Sequence, residues 1–156
     1  MNFDPQLINL ARQIAGKHGL NDALVCAIVE QESGWNPNAT RYEPAFYAHY
    51  IVPLNLQQPE ARDRATSWGL MQTMYQSVVE IGFTDIANKL CDPATGLDWG
   101  CRLFAKKMLR ADADAYKALL YWNGGANTLY PGQVIARMDK YVLPITQTSD
   151  LATGDL

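Results

Sequence analysis

Apolar residues recur at intervals of three and four along most of this chain, whereas the alternation typical of strands is nearly absent. The spacing predicts helices over residues 5–18, 22–33, 67–81, 84–91, 95–110, 112–122 and 131–143. The chain has 156 residues, 48% of them hydrophobic, which is enough for one domain with a buried core. We therefore expect a predominantly α single domain over residues 1–145, followed by a polar, mobile tail over 146–156.

Residues 36–66 do not follow the helical pattern, because prolines and aromatic residues alternate there. They are Pro37, Tyr42, Pro44, Phe46, Tyr47, Tyr50, Pro53 and Pro59. We predict a long irregular insert with a short helix around 44–50. Such a segment inside a compact domain is more often functional than idle.

The composition excludes several classes of function. The net charge of −3 argues against nucleic acid and anionic membranes as partners. No apolar run approaches the roughly 20 residues of a membrane span, and no signal peptide is visible. With His18 and His49 as the only histidines and no metal-ligand spacing, we expect neither a metal nor a cofactor.

Three cysteines leave at least one unpaired. Cys26 lies in an apolar helix and is expected to be a small core residue. Cys91 and Cys101 are ten residues apart and can pair, although the odd count favours reduced thiols.

Glu32 is the first candidate for chemistry. Leu24, Ile28 and Glu32 are four residues apart and line one stripe of the helix over 22–33, which places the carboxyl on an apolar face in the last turn. Desolvation and the negative end of the helix dipole are both expected to raise its pKa, as a general acid requires. Glu30 points to a different face and is interpreted as a solvated or structural charge. The alternative for Glu32 is an ordinary surface glutamate at a frayed helix end.

Three motifs follow one another in the chain. They are Glu-Ser-Gly-Trp-Asn-Pro-Asn-Ala from Glu32, Ser-Trp-Gly-Leu-Met-Gln-Thr-Met from Ser67, and Ala-Leu-Leu-Tyr-Trp-Asn-Gly-Gly from Ala118, with Lys-Tyr-Val from Lys140 after them. Their order resembles the Slt-type lytic transglycosylases and their lysozyme-like relatives over roughly residues 5–143. The resemblance implies a lysozyme-like helical fold whose cleft holds a peptidoglycan glycan strand.

The resemblance also implies roles for individual residues. Glu32 matches the catalytic acid, which protonates the oxygen linking N-acetylmuramic acid to N-acetylglucosamine. The predicted substrate-binding residues are Ser67, Met71, Gln72, Tyr121, Trp122, Asn123 and Tyr141. By pattern alone Met71 is a core residue, Asn123 a helix cap and Tyr141 a packing residue. Tyr121 and Trp122 are alternatives, because the family has tyrosine at the position of Trp122.

The chemical outcome is open between two enzymes. In a transglycosylase, Glu32 then activates the 6-hydroxyl of the muramic acid and gives 1,6-anhydro products. In a hydrolytic muramidase, Glu43 in the insert is the candidate second carboxylate, and its alternative is a salt bridge with Arg41 or Arg62. A third hypothesis is a glycan-binding or structural virion protein without turnover.

The preferred hypothesis is a monomeric transglycosylase from a bacteriophage, a lysin or tail-associated lysin, although a secretion-system accessory enzyme also fits the small size and missing leader. Such an enzyme is made in the cytoplasm and reaches the wall by holin-type release, injection or secretion, without stable membrane insertion.

Overall fold

The described part of the chain, residues 3–143 of the computed structural model, is built from helices and one small sheet. The helices are α1 (Pro5–Lys17), α2 (Asp22–Ser33), α3 (Pro44–Phe46), α4 (Glu60–Arg64), α5 (Tyr75–Glu80), α6 (Pro93–Arg110), α7 (Ala115–Trp122) and α8 (Tyr130–Met138). The strands are β1 (Thr40–Tyr42), β2 (Thr66–Trp68) and β3 (Thr73–Met74), and they form an antiparallel sheet in the order β1-β2-β3. The predicted predominantly α fold is confirmed.

Helix α2 is the centre of the core. Its residues 23–29 are apolar on every side and all are buried. A helix that is apolar all round must be surrounded by other elements, and α2 packs against α1 and α8. Asn21 caps its first turn, with Oδ1 accepting from the amide of Leu24 at 3.0 Å, and Gly34 ends it in the left-handed conformation. α6 packs against α1 and α7 and closes the core.

The predicted helix over residues 67–81 is wrong in its first half. The chain there forms strands β2 and β3, joined by a turn over 69–72, and only α5 is helical. Gly69 and Gln72 have positive φ angles of 74° and 48°, which a helix does not allow. A Cβ on Gly69 would lie 2.1 Å from the carbonyl oxygen of Leu90, so this turn requires glycine. Leu70 and Met71 are buried, as the helical spacing implied, but they are buried from a hairpin turn.

The segment predicted to be an irregular insert contains the short helix expected around 44–50 and is more ordered elsewhere than predicted. It contains β1, and α3 continues into a π-helical turn (Tyr47–Ile51) and a 3-10 turn (Val52–Leu54) before α4. Ile51, Ala61 and Ala65 form a small core of their own beneath this segment.

The remaining boundaries differ from the prediction at helix ends. Residues 84–91 contain only a 3-10 turn (Ala87–Cys91), and α8 passes into another (Asp139–Tyr141). The start of α7 is delayed to Ala115, because Asp112 and Ala113 have positive φ angles. The predicted tail over 146–156 lies outside the described residues.

All three cysteines are free thiols, so Cys91 and Cys101 do not pair in this structure. Cys26 and Cys101 are buried, and burial raises the pKa of each to about 12. Cys91 is half-buried, and burial raises the pKa of its thiol as well, an effect that the neighbouring backbone of Gly69 partly offsets. Within residues 3–143 no helix combines the length and apolar character that crossing a membrane requires.

Candidate active site

Glu32 lies in the last turn of α2, one turn beyond its fully buried part. The next residue fixes this helix end to the hairpin, since the hydroxyl of Ser33 donates to the carbonyl oxygen of Leu70 at 2.8 Å. The same hydroxyl lies 3.1 Å from the carbonyl oxygen of Val29 in the preceding turn. The end of the helix is therefore held against the turn over 69–72.

Two aromatic side chains hold one oxygen of the Glu32 carboxyl group. The indole Nε1 of Trp122, at the end of α7, donates to Oε1 at 3.2 Å. The hydroxyl of Tyr130, at the start of α8, donates to the same oxygen in a short hydrogen bond. Phe104 packs edge-on against the Trp122 ring, with centroids 5.5 Å apart, and thereby fixes the indole. Among the described residues no donor reaches Oε2, so Oε2 is the oxygen left to carry an acidic proton.

The environment favours the protonated form of Glu32. Burial of the carboxyl group raises its pKa above the ordinary value for glutamate. The hydrogen bonds from Tyr130 and Trp122 and the charge of Arg41 offset part of that rise. The direction of the shift and its main cause agree with the sequence prediction.

Tyr130 is the site residue that the sequence analysis missed. Its ring is buried, and burial together with the neighbouring Glu32 charge raises the pKa of its hydroxyl, which therefore stays a donor. The local signal was a tyrosine directly before Pro131 at a helix start, which indicates a boundary but gives no hint of a partner 98 residues away.

Strand β1 supplies the charges near Glu32. Arg41 lies opposite Ser67 in the sheet, and its guanidinium is the cation whose charge acts on Glu32. Nε of Arg41 is 2.8 Å from Oε1 of Glu43, so the structure contains the salt bridge considered for Glu43. Glu43 remains partly exposed, and a second catalytic role for it stays a prediction, as does substrate binding by Ser67.

The side chain of Gln72 organises the hairpin turn. Its Nε2 donates to the carbonyl oxygens of Ala39 at 2.9 Å and Gly69 at 3.0 Å. The amide of Gly69 donates to the same Ala39 oxygen at 2.9 Å, which joins the turn to the residue before β1. These bonds use the donors of the Gln72 amide, and contact of its oxygen with substrate stays a prediction.

Two predicted substrate contacts are corrected by burial. Met71 is completely buried and is therefore a core residue. It packs so closely on Gly100 that a Cβ added to this glycine would lie 2.5 Å from the Met71 sulfur. Tyr141 is also buried, and its hydroxyl donates to Oε2 of Glu30 at 2.6 Å and accepts from Nε1 of Trp35 at 2.9 Å. The tyrosine whose hydroxyl bonds Glu32 is Tyr130.

Glu30 is a structural charge. Its carboxylate contacts Lys140 and Arg137 in addition to Tyr141. Burial acts to raise the pKa of Glu30, but the hydrogen bonds from Lys140 and Tyr141 and the nearby charges of Lys140 and Arg137 together lower it.

The third motif divides its side chains between two functions. Trp122 donates a hydrogen bond to Glu32. The ring of Tyr121 instead lies under the guanidinium of Arg110, whose Cζ is 4.2 Å from the ring centroid. Asn123 is the C-cap of α7, as the local pattern indicated, because its backbone amide donates to the carbonyl oxygen of Leu119 at 3.1 Å. Its Nδ2 donates to the carbonyl oxygen of Asn127 at 3.0 Å, in the loop that follows. Direct binding of substrate by Tyr121 and Asn123 stays a prediction.

The part of the chain that the structure describes contains no group of three or more His, Cys, Asp or Glu side chains arranged to hold a metal ion. The groups that the structure brings together at Glu32 are a partly buried carboxyl group, two aromatic hydrogen-bond donors and the charge of an arginine.

In the comparison with known families, the family model described as Transglycosylase SLT domain matches residues 9–133. No curated protein and no solved structure matches the chain. The matched range includes Glu32, Arg41, the hairpin, Trp122 and Tyr130.

Proposed function

The chain belongs to the Transglycosylase SLT domain family of peptidoglycan glycosidases, which have a lysozyme-like helical fold, and from this premise we propose that Glu32 is its catalytic acid and base. The observation that carries the proposal is the partly buried Glu32 carboxyl, whose Oε1 accepts from Trp122 and Tyr130 while Oε2 has no donor among the described residues. A proton on Oε2 can be given to the glycosidic oxygen between N-acetylmuramic acid and N-acetylglucosamine.

The proposed first step transfers the Glu32 proton to the leaving oxygen as the glycosidic bond breaks. The muramic acid carbon develops oxocarbenium character, and Glu32 becomes an anion. Trp122 and Tyr130 donate to that anion, so they stabilise the charge that forms during bond cleavage. Arg41 adds a positive charge on the strand side.

We propose transglycosylation as the second step. The Glu32 carboxylate then takes a proton from the muramic acid 6-hydroxyl, whose oxygen bonds to the sugar's own anomeric carbon and gives a 1,6-anhydro end. Glu32 gives up one proton in the first step and takes one in the second, so it ends the reaction protonated, as it began.

Hydrolysis with Glu43 is the second candidate. It is supported by one observation: Arg41 pairs with Glu43 and also acts on Glu32, so the two carboxyl groups share a cation. Glu43 would be the second carboxyl group that hydrolysis requires, as a base or nucleophile.

Mass spectrometry of the products released from purified peptidoglycan, with and without borohydride, distinguishes these candidates. Anhydro-muramic ends that resist reduction support transglycosylation, whereas reducible muramic ends support hydrolysis and implicate Glu43. Glu32→Gln is expected to lower release by at least about 100-fold. Undiminished release by Glu32→Gln would contradict the assignment of Glu32, and no release by the wild-type protein would favour a glycan-binding protein without turnover.

A further inference from the structure

The segment between β1 and α4 exposes a group of aromatic rings that the proposed chemistry does not use. The ring centroids of Phe46 and Tyr50 are 4.7 Å apart, and those of His49 and Tyr50 are 4.5 Å apart. Tyr50 is 56% exposed, although a tyrosine in a protein of this size can usually bury its ring. We call these three residues the aromatic ridge.

The aromatic ridge is supported from below. Ile51, Ala61 and Ala65 form the small core under the segment, with Phe46 and Tyr47 packed partly against it. Gln58 donates from Nε2 to the hydroxyl of Tyr47 at 3.0 Å and ties the π-helical turn to the chain before α4. The exposure of Tyr50 is thus a property of a packed segment, and π-helical turns are frequent at functional sites.

The chemistry of the segment favours an uncharged partner with apolar faces. Residues 44–59 contain no Asp, Glu, Lys or Arg. Binding to an anionic lipid surface normally combines apolar residues with lysines or arginines, and the segment has none. A pyranose ring presents C–H groups on one face and hydroxyl groups around its edge, which suits an exposed tyrosine next to a histidine.

The aromatic ridge is connected to the candidate active site through the sheet. Arg41, in the middle of β1, is the cation whose charge lowers the pKa of Glu32. Helix α3 begins two residues after this strand ends. The amide of Glu43 donates to the carbonyl oxygen of Ala65 at 2.9 Å, which closes the base of the segment next to the sheet. The strand whose arginine acts on Glu32 therefore leads directly into the segment that carries the ridge.

We propose that the aromatic ridge binds the glycan strand of peptidoglycan away from the scissile bond, with Tyr50 as the principal contact to a sugar ring. This inference rests on the proposed function for the identity of the polymer, but it concerns binding and not bond cleavage. The ridge makes the enzyme prefer long strands over short oligosaccharides, because only a long strand reaches both the ridge and Glu32.

The test measures binding of peptide-free glycan strands, prepared from amidase-treated peptidoglycan, to protein carrying Glu32→Gln so that strands stay intact. Adding Tyr50→Ala should weaken binding about five- to tenfold, as expected for losing contact with one ring face. Adding Tyr50→Trp instead, which keeps an aromatic face, should leave the affinity for the glycan strands unchanged. The matched control is Tyr116→Ala on α7, since Tyr116 is 48% exposed and lies outside the segment.

Equal affinities for the Tyr50→Ala and Tyr116→Ala proteins, with thermal unfolding unchanged, would overturn the proposal. So would binding to phosphatidylglycerol vesicles that depends on Tyr50, because the ridge would then be a membrane contact. In the cleaving enzyme, Tyr50→Ala should raise KM on long strands without changing kcat, and should leave short oligosaccharides unaffected. Because binding is measured without cleavage, failure of the Glu32 assignment and failure of the ridge give different results.

Discussion

A single carboxyl oxygen, Oε1 of Glu32, accepts hydrogen bonds from two residues that come from different helices. Both donors favour the anion, whereas burial favours the acid. The pKa of Glu32 is therefore a balance that can be shifted in either direction by changing one neighbour.

Tyr130→Phe tests this balance. The variant loses a donor to the carboxylate and keeps the ring, so the pKa of Glu32 should rise further. A general acid is active while protonated, and the alkaline limb of the pH–rate profile should consequently move to higher pH. The maximal rate should fall about tenfold, because the anion formed during cleavage loses a hydrogen bond. Tyr116→Phe, which alters an exposed hydroxyl, is the control, and an unmoved alkaline limb in Tyr130→Phe would contradict the positioning role.

Glu32→Gln should stabilise the protein at neutral pH. The folded-state pKa of Glu32 is raised, so ionisation above that pKa costs the folded state more than the unfolded state. A neutral amide removes this cost. Thermal unfolding should therefore occur at higher temperature in the variant at pH 7, and the difference should shrink as the pH falls toward about 4.3, the ordinary value for glutamate. A variant that is less stable at every pH would show that the carboxylate is not destabilising.

At this scale the sequence predicted the position of Glu32 at the end of α2 and the direction of its pKa shift, but it predicted the hydrogen-bond partners of the carboxyl group poorly. The spacing from Leu24 through Ile28 to Glu32 is a local property, and it predicted a desolvated carboxyl group in the last turn of α2, which agrees with the structure. Trp122 was identified only as an alternative to Tyr121, and Tyr130 was missed. Such contacts depend on how α7 and α8 pack against the end of α2, which local periodicity does not encode.

At the scale of elements, the hairpin over residues 66–74 is the feature that distinguishes this fold from a simple bundle. It brings Leu70 to Ser33 and Ala39 to Gln72, so it sets the position of β1 relative to the end of α2. The turn can adopt this shape because Gly69 has φ +74° and lies directly against Leu90.

Gly69→Ala should therefore destabilise the protein. The added Cβ would approach the backbone of Leu90 within 2.1 Å, and the positive φ disfavours any side chain. We expect a loss of about 2 kcal/mol or more in the free energy of unfolding. Gly132→Ala in α8 is the matched control, since no atom lies within 4 Å of its Cβ position, and it should be neutral or stabilising by up to about 1 kcal/mol. Urea denaturation of both variants measures the difference, and similar values would refute the close-contact explanation.

The hairpin also shows why helix prediction failed at 67–81. Leu70, Met71, Met74 and Val78 fit a helical stripe, and three of them are indeed buried. Burial does not distinguish a helix from a tight turn that points two side chains into the core. In contrast, α2 was predicted with the correct ends, because Asn21 and Gly34 mark its boundaries in the sequence itself.

At the scale of the whole molecule, Glu30 joins the end of the described chain to its centre. Its side chain is 11% exposed and bonds Lys140 and Tyr141, which follow α8. Arg12 in α1 donates to the carbonyl oxygen of Tyr141 at 2.8 Å and pairs with Asp22 at the start of α2. The last described turn is thus fixed to both of the first two helices.

Glu30→Gln should lower the free energy of unfolding by about 1–3 kcal/mol at neutral pH, because a largely buried, charge-assisted hydrogen-bond network loses its anion. The folded-state pKa of Glu30 is lowered, so its stabilisation is complete above the unfolded value of about 4.3 and disappears as the pH falls through the folded value. The difference in the free energy of unfolding between the wild type and Glu30→Gln should therefore become smaller at acidic pH. Glu60→Gln is the control, because the Glu60 side chain is 51% exposed in its ion pair with Arg64. This variant should lose less than about 0.5 kcal/mol of the free energy of unfolding. Denaturant titrations at neutral and acidic pH give both comparisons, and a gap that widens in acid would contradict this assignment.

The free thiols give this protein a built-in attachment point for a spectroscopic probe. Cys26 and Cys101 are buried with pKa values of about 12, so they form little thiolate near neutral pH and are shielded from reagents. Cys91 is half-buried and rests against the backbone of Gly69, behind the hairpin that contacts Ser33. Because Cys91 is the one thiol of the three that is not fully buried, a maleimide fluorophore should couple preferentially there without any substitution, and its emission would then report on the hairpin.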